Sequence, residues 1–295
     1  MARLPNLLVS LAIVVMTTMA FISIAADTAA AAPPQGGNKG QKNRGGTGWE
    51  EHFEDGNLGS RWMIEDWQDP ARKFSAPGYI PFNHVGYYLA EHVSVADGYL
   101  RLRLTQDYGT VDNSSGVISQ GALIYTQDTY GYGTYEWRMR MSSTADIPAG
   151  SGSPTTGSVS AGFIYVNNSE TEIDFEFSGH SLEDDSLDDE TLYMVNWNNK
   201  NSRTGPGESD NTVSVVPVPW LNTAFKTYKL VWEKRSVTYY VDDDLQAKHT
   251  TNVPRASAHF MINHWGTNSP WWGGLATTAT PRYFFVDWVK YTPLQ

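Results

Sequence analysis

Residues 49–295 predict a single all-β domain, a sandwich of two antiparallel sheets. Three observations carry this prediction. Short stretches of alternating or aromatic-rich sequence recur along the chain, and Gly, Asn, Asp and Pro separate them. Beyond the first residues, no long stretch carries the spacing of an amphipathic helix.

The chain begins with Arg3 ahead of an apolar run from Leu7 through Ile24, then an Ala-rich stretch. This is the layout of a secretory signal over residues 1–32, with cleavage expected among Ala25 to Ala32. A membrane anchor is the alternative, because the apolar run is nearly long enough to span a bilayer. Residues 33–48 are Pro, Gly, Asn, Gln and Lys without periodicity, and read as a flexible lead-in.

Strands are expected at 99–105, 133–141, 159–166, 172–177, 191–197, 228–232, 237–241, 259–263 and 284–291. Within 134–141, polar residues alternate with Tyr135, Trp137, Met139 and Met141, which predicts a core face. The strand at 237–241 runs into Asp242-Asp243-Asp244, read as a tight acidic turn, with a calcium loop as the alternative. Two polar segments, 145–160 and 198–219, read as long loops on either side of the 172–177 strand.

The formal net charge of −11 argues against nucleic acid and anionic membranes as partners and suits a neutral one. With no cysteine there is no disulfide to brace the domain, so a large core must stabilise it, with a structural metal as a possible aid.

The most informative segment is Glu172-Ile173-Asp174-Phe175-Glu176. Its period of two puts three acids on one strand face and Ile173 and Phe175 on the other. Such a row repels itself. A solvated face or a cation site would explain it, and so would glycosidic cleavage, in which one carboxylate attacks or assists while another acid protonates the leaving oxygen. Glu172 and Glu176 are about 13 Å apart at Cα in an extended strand. Retaining enzymes hold their carboxyls about 5–5.5 Å apart and inverting ones about 6.5–9.5 Å, so spacing alone leaves the mechanism open. Asp174 between them is placed to tune both neighbours.

A glycan cleft also needs flat aromatic faces. The segment 263–273 supplies Trp265, Trp271 and Trp272 beside Asn263 and His264 in a turn-rich setting. Trp197 follows the alternation of Tyr193 and Val195 and reads as core, while Phe82 and Asn83 are weaker rim candidates. The histidines lack metal-ligand spacing, and neither a phosphate-binding Gly loop nor a Ser-based nucleophile arrangement is present in the sequence.

In order along the chain, Phe82-Asn83, Tyr130-Gly131-Tyr132-Gly133-Thr134-Tyr135-Glu136, Glu172 through Phe177, Met261-Ile262-Asn263-His264-Trp265 and Val286-Asp287-Trp288-Val289-Lys290-Tyr291 resemble family 16 glycoside hydrolases. The resemblance is to the branch containing bacterial β-1,3-1,4-glucanases, the lichenases. It implies a β-jelly-roll with a concave glycan-binding cleft and retention of configuration. It implies Glu172 as nucleophile, Asp174 as assistant and Glu176 as general acid/base. It further implies Asn263 and Trp265 in the cleft, Asn83 on the donor sugar, and Asp287 at a structural calcium away from the chemistry. No cofactor is implied for catalysis. The chain departs from lichenases before the first acid, where Glu170-Thr171 replaces Trp-Asp. It departs again ahead of the Tyr-Gly-Tyr-Gly run, where Leu123 and Tyr125 replace a Glu and an Arg that contact donor sugars. His264, Trp271 and Trp272 further alter the expected cleft wall.

The expectation is therefore a secreted, monomeric, retaining endo-glycosidase acting on a mixed-linkage or β-1,3-glucan, free of stable membrane association once its leader is removed. A transglycosylase, a hydrolase of a marine galactan such as agar, carrageenan or porphyran, and a non-catalytic lectin-like module are the alternatives.

Overall fold

The structure, a computed structural model, describes residues 47–66, 83–111, 113–166, 169–179, 191–198, 211–218, 221–269 and 272–295. The leader, the lead-in up to residue 46, Phe82 and Trp271 lie outside them, as does the side chain of Asn83.

Among the described residues the strands are β1 (Trp49–Glu51), β2 (Trp62–Ile64), β3 (Asn83–Tyr88), β4 (Val93–Ala96), β5 (Tyr99–Val111), β6 (Ser114–Tyr130), β7 (Gly133–Ser143), β8 (Ser158–Val166), β9 (Thr171–Ser178), β10 (Thr191–Trp197), β11 (Asn211–Pro217), β12 (Lys226–Glu233), β13 (Ser236–Val241), β14 (Asp244–His249), β15 (Ala258–Gly266) and β16 (Arg282–Pro293). All nine strands expected from the sequence are present. Their hydrogen-bonded order is β11-β10-β9-β8-β15-β6-β5-β16-β7-β12-β13-β14, with β2 and β3 added on β6, β1 on β16 and β4 on β5.

The two expected layers are joined in one continuous ribbon. The 17-residue β6 and 13-residue β5 carry it from a front layer (β11 to β6) to a back layer (β5 to β14). Pairing is antiparallel except where β3 runs parallel to β6. The two layers face each other across one core, as expected of the jelly-roll. Ile173, Phe175 and Phe177 of β9, Leu192 and Met194 of β10, and Phe260 and Ile262 of β15 meet Tyr135, Trp137, Met139, Tyr228 and Tyr239 of the back layer. Trp137 packs on Phe260 with ring centroids 4.5 Å apart, and Phe175 meets Tyr239 edge-on at 5.3 Å. Full burial of each such side chain contributes about 1.5–3 kcal/mol, which answers the need set by the missing disulfides.

Two buried arginines brace the loops. Arg140 donates to the carbonyls of Asn222 (3.0 Å) and Pro148 (2.7 Å), so one guanidinium ties two connections to β7. Arg282 donates to Thr277 O (2.8 Å) and Gln106 Oε1 (2.5 Å). Gln106 in turn donates to Thr267 O and Ser119 Oγ, which clasps the loop after β15 to β5 and β6.

The acidic turn is borne out: Asp242 and Asp243 take positive φ angles of 50° and 67° and close the β13–β14 hairpin, with Lys226 and Lys229 on their carboxylates. The loop expected at 198–219 needs correction, since β11 pairs with β10 over Asn211–Pro217.

Candidate active site

Opposed residues in an antiparallel pair share a face, so the register builds the cleft row by row. Glu172 lies between Tyr165 of β8 and Trp197 of β10, Asp174 between Phe163 and Val195, and Glu176 between Ala161 and Tyr193. Beyond Ala161 the last row continues to Asn263 of β15 and Leu123 of β6. Because Ile173 and Phe175 anchor β9 in the core, these acids must face the other way, onto the outer surface of the front layer. Trp197 joins them there, half-buried beside Glu172, rather than entering the core. It is Leu192 and Met194, one residue out of phase, that face inward.

A second apolar cluster paves this face: Tyr88, Leu123, Val159, Phe163, Met261 and Trp265, with Tyr125, Tyr165 and Trp272 half-buried against it. Removing water from a carboxylate favours its neutral form, and this pavement does so to all three acids. Burial pushes Glu172 up to about 7 and Glu176 up to about 8, the latter also through the charge of Glu172. Asp174, 3% exposed and between two glutamates, is held well above the carboxylate range.

One contact breaks the symmetry. The hydroxyl of Ser169 donates to Oε2 of Glu172 and opposes the effect of burial there. Glu172 thus has a donor that favours its ionised form, and among the described residues no such donor reaches Glu176. A nucleophile and a general acid require this division.

The Trp272 wall is tied to β9 and β10. Trp272 meets Tyr193 edge-on at 4.7 Å. It precedes Gly273 and Gly274, whose φ angles of 68° and 85° make the tight turn; a Cβ at Gly273 would lie 2.3 Å from Thr267 Oγ1. Gly273 N donates to Ser178 Oγ at the end of β9 (3.0 Å). On the opposite side, β2 extends one bond further through Glu65 N to Leu123 O, and the Tyr125 hydroxyl donates to the Glu65 carboxylate. Asn263 donates to Tyr88, while its Oδ1 has no partner among the described residues.

Several sequence expectations can now be placed. Glu172, Asp174 and Glu176 come together, with Asn263, Trp265 and Trp272 around them. Asn83 opens β3, which is paired to β6. Leu123 and Tyr125 do line the cleft beside β2. His264 is a correction: it is fully buried, with Nε2 2.8 Å from Ser142 Oγ and Nδ1 3.0 Å from Leu102 O, in the core between the layers. The alternation that turns Asn263 and Trp265 outward turns His264 inward. Ser169 and Glu65 were missed. Ser169 precedes the alternating run, and Glu65 lies over 100 residues away in sequence, so neither carries a periodic signal.

Asp287, the residue expected at a structural calcium, accepts from Arg138 Nε through Oδ2 at 3.0 Å. Among the described residues no three His, Cys, Asp or Glu side chains converge as a metal cage.

A jelly-roll whose concave face carries a desolvated row of three carboxyls between aromatic walls is the architecture of a glycoside hydrolase. The sequence model described as Glycosyl hydrolases family 16 matches residues 84–290, and the chain belongs to that family. It is 33% identical over 170 residues to a beta-glucanase of Paenibacillus polymyxa, covering 56% of this chain and 61% of the relative. The match thus spans about three-fifths of that relative's length. In structure it resembles the Bacillus licheniformis beta-glucanase, with a TM-score of 0.61, 24% identity, and coverage of 84% of this chain and 99% of that one. It also resembles the laminarinase catalytic domain of Thermotoga maritima, with a TM-score of 0.61, 19% identity, and coverage of 84% and 97%. These two likenesses speak for the fold.

Proposed function

We propose that the protein is a secreted, retaining endo-β-glucanase that cleaves internal bonds of a mixed-linkage β-1,3-1,4-glucan or a β-1,3-glucan. The observation that carries this reading is the row of three carboxyls on the outer face of β9, set on an apolar pavement, with the Ser169 hydroxyl on Glu172. Glu172 attacks the anomeric carbon as Glu176 gives its proton to the departing glycosidic oxygen. The bond to the leaving sugar breaks as the glycosyl ester on Glu172 forms. Glu176, now ionised, takes a proton from water; the water oxygen joins the anomeric carbon and the ester opens. Burial and the two flanking glutamates favour the neutral form of Asp174, which limits the charge gathered in the row.

The relatives named beta-glucanase support a glucan, and the net charge of −11 disfavours strongly sulfated galactans. Product analysis on lichenan, laminarin, xyloglucan and agar tests the reading. Rapid loss of viscosity and β-configured first products are expected from lichenan or laminarin. Preference for agar or xyloglucan, or α-configured first products, would overturn it. Excess oligosaccharide acceptor added to the same assay distinguishes hydrolysis from transfer, with lengthened products marking the latter.

We assign the Tyr125–Glu65 pair to sugar hydroxyls on the side of the cleft formed by β2 and β6. Tyr125→Phe is expected to raise KM about 3- to 10-fold, the worth of one hydrogen bond, with kcat within twofold. Steady-state kinetics on long oligosaccharides decide this, and an unchanged KM would remove the pair from the binding surface.

A further inference from the structure

We propose that Ser169 is a positioning residue for the nucleophile, its hydroxyl clamping one oxygen of Glu172 and leaving the other to attack. This rests on the retaining mechanism above, but its local geometry stands independently. Ser169 Oγ donates to Glu172 Oε2, so Oε1 is the oxygen available to an anomeric carbon. Among the described residues, Glu172 is the one carboxyl of the three with a hydrogen-bond donor.

The backbone supports a functional origin. Ser169 has a φ of 62°, in the left-handed region that glycine adopts freely and a serine adopts at a cost. It is 3% exposed despite lying outside any strand, so the polar side chain is held inside the wall rather than left in water. A turn needing only that backbone angle would be better served by glycine or asparagine. What serine adds is a short donor at the first carboxyl of the row. Strain of this kind persists where surrounding structure fixes it, and clusters at reacting groups. Here Thr171 Oγ1, bonded to Ala256 O at 2.8 Å, pins the start of β9 just after the turn.

The consequence for charge follows from the direction of the bond. A donor stabilises the ionised carboxylate, so it lowers the pH at which Glu172 becomes a nucleophile, while among the described residues Glu176 receives no such help. One hydroxyl thus separates two glutamates that share the same apolar surroundings. The bond also restricts rotation of the carboxyl, which keeps Oε1 aimed across the cleft through both displacement steps.

Ser169→Gly separates the hydroxyl from the backbone. Glycine accepts the left-handed angle without strain, so the fold should be as stable as wild type or more so. Activity should nevertheless fall about 10- to 100-fold in kcat, with KM within threefold, as expected for loss of a charge-assisted hydrogen bond. The acid limb of the kcat/KM profile should move to higher pH, and carbon-13 NMR of labelled glutamate should show Glu172 titrating later than in wild type. Ser169→Ala should match the glycine variant in the pH shift but be less stable. Wild-type kcat and an unmoved acid limb in Ser169→Gly would overturn the proposal. Should wild type cleave no glycan, the enzymatic reading fails, yet the carbon-13 titration still decides whether Ser169 governs Glu172: a later titration in Ser169→Gly upholds the clamp and an unchanged one rejects it.

Discussion

Glu172→Ala and Glu176→Ala are each expected to lower kcat on the preferred glucan by about 10³-fold or more while leaving the fold intact, because each removes a group that acts on the reacting bond. Circular dichroism should be unchanged, since neither side chain belongs to the core between the layers. Added azide should distinguish the two roles. In Glu172→Ala it can enter the vacated space and attack the anomeric carbon directly, giving an α-glycosyl azide in a single displacement. In Glu176→Ala it should instead intercept the glycosyl ester on Glu172, giving a β-glycosyl azide. The substrate for the second experiment should carry a good leaving group, since its proton donor is gone. Proton NMR of the products settles the assignment. The same anomer from both variants, or wild-type turnover by either, would refute it.

Glu176→Gln should make the protein more stable at pH 8 even as it removes activity. The folded-state affinity of Glu176 for its proton is raised, from the ordinary 4.5 to about 8, chiefly by burial. Between those values the native state holds a proton that the unfolded chain has released, so stability falls as pH rises through that window. Each pKa unit corresponds to about 1.4 kcal/mol, and the partial exposure of this side chain screens part of the total. A gain on the order of 2 kcal/mol at pH 8 is expected from the neutral isostere, which shifts the melting temperature up by about 4–8 °C in a domain of this size. At pH 4, where Glu176 is protonated in both states, the gain should vanish. Melting curves of the two proteins at pH 4, 6 and 8 test this directly. A pH-independent difference, or destabilisation at pH 8, would show that the row is not held against its charge. The expected pattern is that of a site whose chemistry is maintained at the expense of the fold.

Regularity decides how much of this molecule was legible in its sequence. The strands with a clean period of two, such as β7 and β9, were read with their facing residues correct, and with them the carboxyl row. The long β6 was not, because its middle, Gly121-Ala122-Leu123-Ile124, is buried on both faces and shows no alternation. The same period would have placed His264 inside, since its two neighbours were already assigned to the cleft. β11 reads as loop in the sequence because it lies at the end of the front layer, where half-exposed and polar residues suffice. Ser169 and Glu65 act through contacts that only the folded chain creates: a left-handed turn in one case, and a strand brought from a distant segment in the other.

The bond from Gly273 to Ser178 means that the two sides of the cleft differ in how freely they can be altered. The aromatic wall at Trp272 and the end of the carboxyl strand form one mechanical unit, so remodelling that loop to admit a different polymer would shift Glu176 as well. The side at Tyr125 and Glu65 is joined to the carboxyls only across two intervening strands. New substrate preferences are therefore more readily acquired there, by inheritance or by engineering, with the bond-breaking apparatus left undisturbed.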